Sequence, residues 1–207
     1  MIFEFSQIIK SKKVKIIFSN NKIDSIKNDK IEVSMHQTHS ANVKIVSSQN
    51  HFNNDIDGMF TTNKDICLKI KTADCLPIFF YSESPILLGV VHAGWRGLKK
   101  GIIKNTFSVI EKNLKDISSI EVFIGPSISQ KNYEVQNKFI KYFGSKFILE
   151  KNNKFFLDLK AVAKSQLNEL GIKNVSDIDE CTYENKLYHS YRRDKTSERL
   201  IGWIYYE

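Results

Sequence analysis

An α/β fold, a single layered domain with a mixed central sheet flanked by helices, is what the sequence predicts. Three observations carry that reading. Several segments alternate apolar with polar residues, two longer runs are apolar throughout, and three stretches repeat apolar residues at helical spacing. Taken in order, Val14, Ile16 and Phe18 alternate with Lys15 and Ile17, Ile31-Val33-Met35 alternate with polar partners, and Ile66-Leu68-Ile70 alternate with Cys67 and Lys69; each predicts a strand. Leu76–Tyr81 and Ile86–His92 are continuous apolar runs joined by Ser82-Glu83-Ser84-Pro85, the pattern of central strands buried on both faces. Ile120–Gly125 predicts another such strand, and Ile201–Tyr206 a last one.

Helical spacing appears first in Ile102, Ile103, Thr106, Phe107, Ile110 and Leu114, which mark one face of a helix starting just after Trp95-Arg96-Gly97. Leu159, Val162, Ala163, Gln166, Leu167 and Leu170 mark a second, with Asp158 as its N-cap and Gly171 as its stop. A shorter helix is expected over Val135–Phe143. No internal repeat and no Gly/Ser or Pro linker divides the chain, so residues 1–207 form one domain.

The 207 residues, 42% of them hydrophobic, suffice for one substantial core. No apolar run approaches the ~20 residues of a membrane span, and Met1–Lys10 lacks the pattern of a signal peptide, so the expected location is the cytoplasm, with no membrane partner. Cys67, Cys75 and Cys181 are odd in number, which argues for reduced thiols over a disulfide framework. The net charge of +8 is spread over lysines scattered among Asn and Ile, densest at Lys10, Lys12, Lys13 and Lys15. A solvated basic surface accounts for that distribution better than a nucleic-acid footprint.

Chemistry-bearing residues gather where strands stop. Thr72-Ala73-Asp74-Cys75-Leu76-Pro77 and Val91-His92-Ala93-Gly94-Trp95-Arg96-Gly97 put a thiol and an imidazole beside two apolar strands, and His36-Gln37-Thr38-His39-Ser40 supplies further imidazoles upstream. In open α/β sheets ligands bind beyond strand ends. Two imidazoles and a thiolate drawn together make a three-ligand zinc site with a fourth position open, the catalytic pattern. The spacing matches no short zinc motif, and the alternative reading of Cys75 and His92 as plain core residues stays open on spacing alone. Arg96 offers a planar fork of donors to phosphate or carboxylate.

The order of further blocks shifts the weight toward the metal reading. His36-Gln37-Thr38-His39-Ser40-Ala41-Asn42-Val43, Asp57-Gly58, the Cys75 and His92 blocks, Ile124-Gly125-Pro126-Ser127-Ile128-Ser129 with Tyr133-Glu134-Val135, Leu157-Asp158-Leu159, and Cys181-Thr182 with Tyr188–Asp194 occur in one line from about Val33 to Trp203. In that order they resemble the laccase-domain family, also called polyphenol oxidase-like, peptidoglycan editing factor and purine nucleoside phosphorylase. The resemblance implies zinc ligands at His39, Cys75 and His92, with one Zn2+ as the cofactor. His36 then becomes a supporting or structural residue, competing with Asp57 and Asp74 to hold a ligand imidazole. Cys67 and Cys181 read as core, His51 as exposed and His189 as a lining residue. The family's longer first segment with its Arg-x-Gly-Gly motif has no counterpart before Phe18-Ser19-Asn20-Asn21, so the catalytic domain reads as shortened at its N-terminus.

What the resemblance implies for activity is phosphorolysis of purine nucleosides, methylthioadenosine among them, together with hydrolytic removal of the adenosine 6-amino group. The partners are then a small nucleoside and phosphate. Zinc lowers the pKa of water toward neutrality and so supplies the nucleophile for deamination. Asp74 is the expected acid/base partner, Arg96 a catalytic anion contact, and Arg96, Arg192 and Arg193 the substrate-binding cations, against the plainer reading that Arg192 and Arg193 pair with Asp194 or Asp179. Peptidoglycan precursors are a further implied target. Two other functions compete: a zinc-free cysteine hydrolase or amidase in which Cys75 attacks and His92 takes its proton, and a basic module with a structural metal and no turnover. Copper is not expected, because one mixed Cys/His site falls far short of a multicopper set.

Overall fold

The computed structural model describes residues 1–5, 8–20, 29–47, 54–114 and 117–207. In chain order the elements are β1 (Ile2–Glu4), β2 (Val14–Ser19), β3 (Ile31–Val33), β4 (Val43–Ile45), β5 (Gly58–Thr61), β6 (Ile66–Thr72), β7 (Leu76–Glu83) and β8 (Ile86–Ala93). After them come α1 (Trp95–Lys99), α2 (Ile102–Asn113), β9 (Glu121–Ile124), β10 (Glu134–Val135), α3 (Phe139–Phe143), β11 (Ile148–Lys151) and β12 (Lys154–Leu157). The chain closes with α4 (Leu159–Glu169), β13 (Val175–Asp177), α5 (Tyr191–Asp194) and β14 (Leu200–Tyr206).

The α/β class with mixed sheets is what the structure has. A six-stranded sheet in the order β13-β9-β7-β8-β5-β4 is central, and a five-stranded sheet, β1-β2-β14-β6-β3, packs on one of its faces. Helices α1, α2 and α4 cover the other face. Strand polarity explains the layering. Along β7, Ile78 and Phe80 point into the helical core, whereas Phe79 and Tyr81 point between the sheets, because successive side chains alternate. The continuous apolar run is therefore a strand with two buried faces. Phe79 meets Phe18 edge-on at 5.4 Å and Phe123 at 6.2 Å, so truncating Phe79 to Ala is expected to cost ~3–5 kcal/mol.

The expected elements at Val14–Phe18, Ile66–Ile70, Ile120–Gly125 and Ile201–Tyr206 correspond to β2, β6, β9 and β14. Asp158 caps α4 by accepting from the Ala161 amide at 2.8 Å, and Gly171, at φ 79°, stands just beyond its end. Two expected helices differ in extent. Gly101, at φ 81°, divides the segment after Gly94 into α1 and α2. The helix expected over Val135–Phe143 is confined to Phe139–Phe143, since Glu134 and Val135 pair with Phe156 and Phe155 in a separate three-stranded sheet. Among the described residues no helix is long and apolar enough to cross a membrane.

Candidate metal centre

β7 and β8 run antiparallel, with Leu76 opposite Ala93 and Pro77 opposite His92, so Cys75 and His92 share one end of the central sheet. The loop after β3 brings His39 to that end. Its anchor is Asn42, whose carbonyl accepts from the amides of Asp57 and Gly58 at 3.0 and 3.2 Å, while Gly58 pairs with Val91 on β8. The ligand-type atoms of His39, Cys75 and His92 consequently lie within 4.8 Å of one another. Cys75 Sγ is 3.8 Å from His39 Nε2, and the two imidazole rings meet edge-on at 4.7 Å. Gly94 makes the approach feasible: a Cβ there would stand 2.9 Å from Cys75 Sγ and 3.0 Å from His39 Cδ2.

One buried carboxylate holds both the loop that carries His39 and the ring of His92. Asp57 accepts the amides of Thr38, His39 and Ser40 at 3.1, 3.0 and 2.6 Å, and the Ser40 hydroxyl at 2.7 Å. That wrapping holds His39 in the left-handed region at φ 60°, a conformation a non-glycine residue keeps only when its surroundings dictate it. Asp57 Oδ1 also takes the Nδ1–H of His92 at 2.7 Å, which turns His92 Nε2 toward the thiol. His36, by contrast, is exposed and 3.8 Å from Asp55, so the supporting role belongs to Asp57. Burial alone pushes the Asp57 carboxyl up, but the donors from His92 and Ser40 outweigh it and hold it well below the usual carboxylate range. Burial likewise raises the Cys75 thiol, yet the imidazoles of His92 and His39 bring it down to about 6. His92 is pulled down by burial and raised further by Cys75 and Asp57, to about 9. Without metal this pair is a thiolate facing an imidazolium; with metal it is a ready set of one thiolate and two imidazole donors.

Beside the trio opens a cleft of about 800 Å3. Lys69, Lys71, Arg96, Arg192, Lys195 and Arg199 line it, and Asp74 is the lining carboxylate. Asp74 is itself held at φ 85°, with Oδ1 accepting from the Thr182 hydroxyl at 2.7 Å and Oδ2 from the Arg192 amide at 2.6 Å. It thereby joins the Cys75 loop to α5. Arg96 is exposed in α1, with its guanidinium 4.6 Å over the Trp95 ring. Arg192 lies 5.1 Å over the Tyr133 ring and donates through Nη1 to the Glu134 carbonyl at 3.0 Å.

Arg193 departs from the expected substrate role and is absent from the cleft lining. Its Nη1 donates to the carbonyls of Thr182 and Tyr183 and its Nη2 to Tyr188, with Asp194 paired at 2.7 Å, so it staples the loop before α5. His189 bonds the Asn20 carbonyl at 2.8 Å and also lies off the cleft. Cys67 is fully buried as expected, whereas Cys181 is half-buried and accepts from the Ser129 amide at 3.3 Å. His51 falls outside the described residues. The sequence reading missed Lys71, Lys195 and Arg199, which look like ordinary surface charges in the chain. Tyr133 lay in a recognised block without a role; burial and the nearby Cys75 keep its phenol protonated well above neutral pH.

The fold and site define a mixed-sheet α/β protein with a His-Cys-His donor set that could hold a metal ion at its strand ends and a cationic cleft beside it. Residues 18–207 match the model of the family described as multi-copper polyphenol oxidoreductase laccase, and the chain belongs to that family. It is 36% identical over 175 residues, 84% of this chain and 76% of the relative, to a protein of Campylobacter jejuni named purine nucleoside phosphorylase Cj1217c. A Rickettsia prowazekii protein named purine nucleoside phosphorylase RP494 is 37% identical over 171 residues, 77% of this chain and 69% of that one. In structure the chain resembles YlmD of Geobacillus stearothermophilus with TM-score 0.80 and 26% identity, covering 86% of this chain and 74% of that one. It shares its fold with Neisseria meningitidis protein NMB0706 at TM-score 0.82 and 22% identity, covering 95% and 96%.

Proposed function

We propose that the chain is a zinc-dependent purine nucleoside phosphorylase that also acts on methylthioadenosine and deaminates adenosine. The observation that carries the reading is the placement of the His39-Cys75-His92 trio beside a cleft whose cations outnumber its carboxylates. Relatives bearing the purine nucleoside phosphorylase name support it. The donor set fits zinc: one thiolate and two imidazoles, with Asp57 bonded to the His92 ring and to the His39 backbone amide, and a fourth position would be left to water or substrate. Bound zinc would supply Lewis acidity and a water of near-neutral pKa.

The rest of the work falls to the chain's own residues. Phosphorolysis needs an anion held against the sugar while positive charge develops there, and Arg96 and Arg192 offer it planar donor forks. Tyr133, protonated and lining the cleft, can donate to a substrate heteroatom. Asp74, the expected acid/base, has one lone-pair direction on each oxygen engaged, so its role in this reading is to receive or return a proton from that fixed position while aligning α5. Assaying phosphate-dependent cleavage of a nucleoside panel on tag-free protein of known metal content tests the proposal. Cleavage without phosphate dependence, or none, defeats it.

A second reading has its own observation. Cys75 brought to about 6, His92 at about 9 and Asp57 behind His92 form a thiolate-imidazolium-carboxylate line, the layout of a cysteine hydrolase or amidase acting without metal. A peptidoglycan precursor would enter by this route, through an amide or similar acyl bond. Survival of activity in chelated protein favours it; loss favours zinc.

A further inference from the structure

The cleft holds more positive charge than one phosphate requires, and the surplus comes from the other sheet. Arg96 reaches the cleft from α1, next to the central sheet, whereas Thr72, Lys71 and Arg199 come from the ends of β6 and β14 and Lys195 from the end of α5. Thr72 is 2% exposed, lines the cleft, and its Oγ1 has no hydrogen-bond partner among the described residues. A buried hydroxyl left unpaired destabilises the fold, a penalty that a bound acceptor removes. Arg199 stands next to Leu200, which pairs with Thr72. It spends Nη1 on the carbonyls of Thr196 and Glu198 at 3.0 and 2.8 Å, and its remaining N–H groups meet no acceptor among the described residues. Lys195, at φ 52°, carries its ammonium 5.1 Å over the Tyr191 ring.

We infer that Thr72, Lys195 and Arg199 form a second anion subsite, apart from Arg96, for a phosphoryl group carried by the substrate itself, so that a nucleoside 5′-monophosphate or like ester is the better-held ligand. A hydroxyl, an ammonium and a guanidinium together suit a tetrahedral anion with several acceptor oxygens. Asp74, the lining carboxylate, is outnumbered by the lining cations, so the cleft keeps a positive balance. The inference rests on the purine reading for the identity of the substrate, and not for the presence of the subsite.

Calorimetric titration with inorganic phosphate at low ionic strength tests the subsite without turnover. Wild-type protein is expected to take up two phosphates per chain, Lys195→Ala/Arg199→Ala and Arg96→Ala one each, with melting temperature and metal content unchanged. Thr72→Val is the conservative arm: it should melt no lower than wild type and weaken one of the two sites about tenfold. Uptake of a single phosphate by the wild type, or Thr72→Val and the double variant both binding like it, overturns the subsite. Inosine 5′-monophosphate should bind the wild type about tenfold or more tighter than inosine, and within about twofold of it in the double variant. Equal affinity in the wild type overturns the assignment to a substrate-borne group. Two bound phosphates with no cleavage of either purine would instead be the failure of the nucleoside reading.

Discussion

The corner holding His39, Cys75 and His92 and the wall holding Lys71, Lys195 and Arg199 face the same cleft but are built differently. At the corner Asp57 bonds the ring of His92 and the backbone amide of His39, and the thiol lies close to Gly94. On the wall, Lys71 and Lys195 are exposed side chains, the latter with its ammonium 5.1 Å over the Tyr191 ring. Donors held by hydrogen bonds and close packing keep distances within the tolerance of a metal or a proton transfer, whereas exposed cations give attraction that salt screens within ~8–10 Å. Bond-making chemistry therefore belongs to the corner, and ligand choice and retention to the wall.

The largest expected effect comes from removing a corner ligand. Cys75→Ser should lower metal affinity and activity beyond the ~10–100-fold typical of losing a supporting residue, measured by metal content and turnover, with the melting temperature little changed. Asp57→Asn comes next. Its amide would set N–H groups against the donors of Thr38, His39 and Ser40, so metal affinity should fall ~10–100-fold and stability by ~2–4 kcal/mol in denaturant unfolding. If that variant matches wild type in both, the corner is not organised by Asp57. Arg96→Ala tests the boundary between the two regions: the KM for phosphate should rise about tenfold, ~1.4 kcal/mol, while metal content stays intact. Loss of metal would make Arg96 part of the corner.

A smaller effect is confined to metal-free protein. There Cys75 should react with iodoacetamide along a curve with its midpoint near pH 6, read by mass spectrometry of the Cys75 peptide, since its thiolate is held by His92 and His39. An ordinary exposed thiol would show its midpoint near ~8.5.

The same contrast governs how far the sequence could be read. β7 and β8 are legible because apolar residues on both faces leave a continuous run, and α4 because Asp158 and Gly171 mark its ends. Short strands such as β4 and β5 carry too few residues for a period and are held in place by pairing, β5 with β8 and β4 with β5. Val135 was drawn into the wrong element because its partner, Phe155, lies twenty residues on, beyond any local pattern. At the site, the donors were legible by residue type and block order. The orienting role of Asp57 was legible only as one of three candidates with His36 and Asp74, since the choice depends on a loop folded around one carboxylate. The wall was not legible, because Lys71, Lys195 and Arg199 belong to a chain rich in scattered cations, and only the meeting of β6, β14 and α5 collects them. Arg193 shows the converse: adjacent to Arg192 in sequence, it turns to backbone carbonyls in the fold.

Reversible metal removal tests the central claim most directly. Protein purified without an affinity tag should contain about one zinc per chain, lose phosphate-dependent nucleoside cleavage on chelation, and recover it when zinc is restored. Full activity in a preparation verified to be metal-free would contradict the account and leave Cys75, His92 and Asp57 as the catalytic line of a hydrolase.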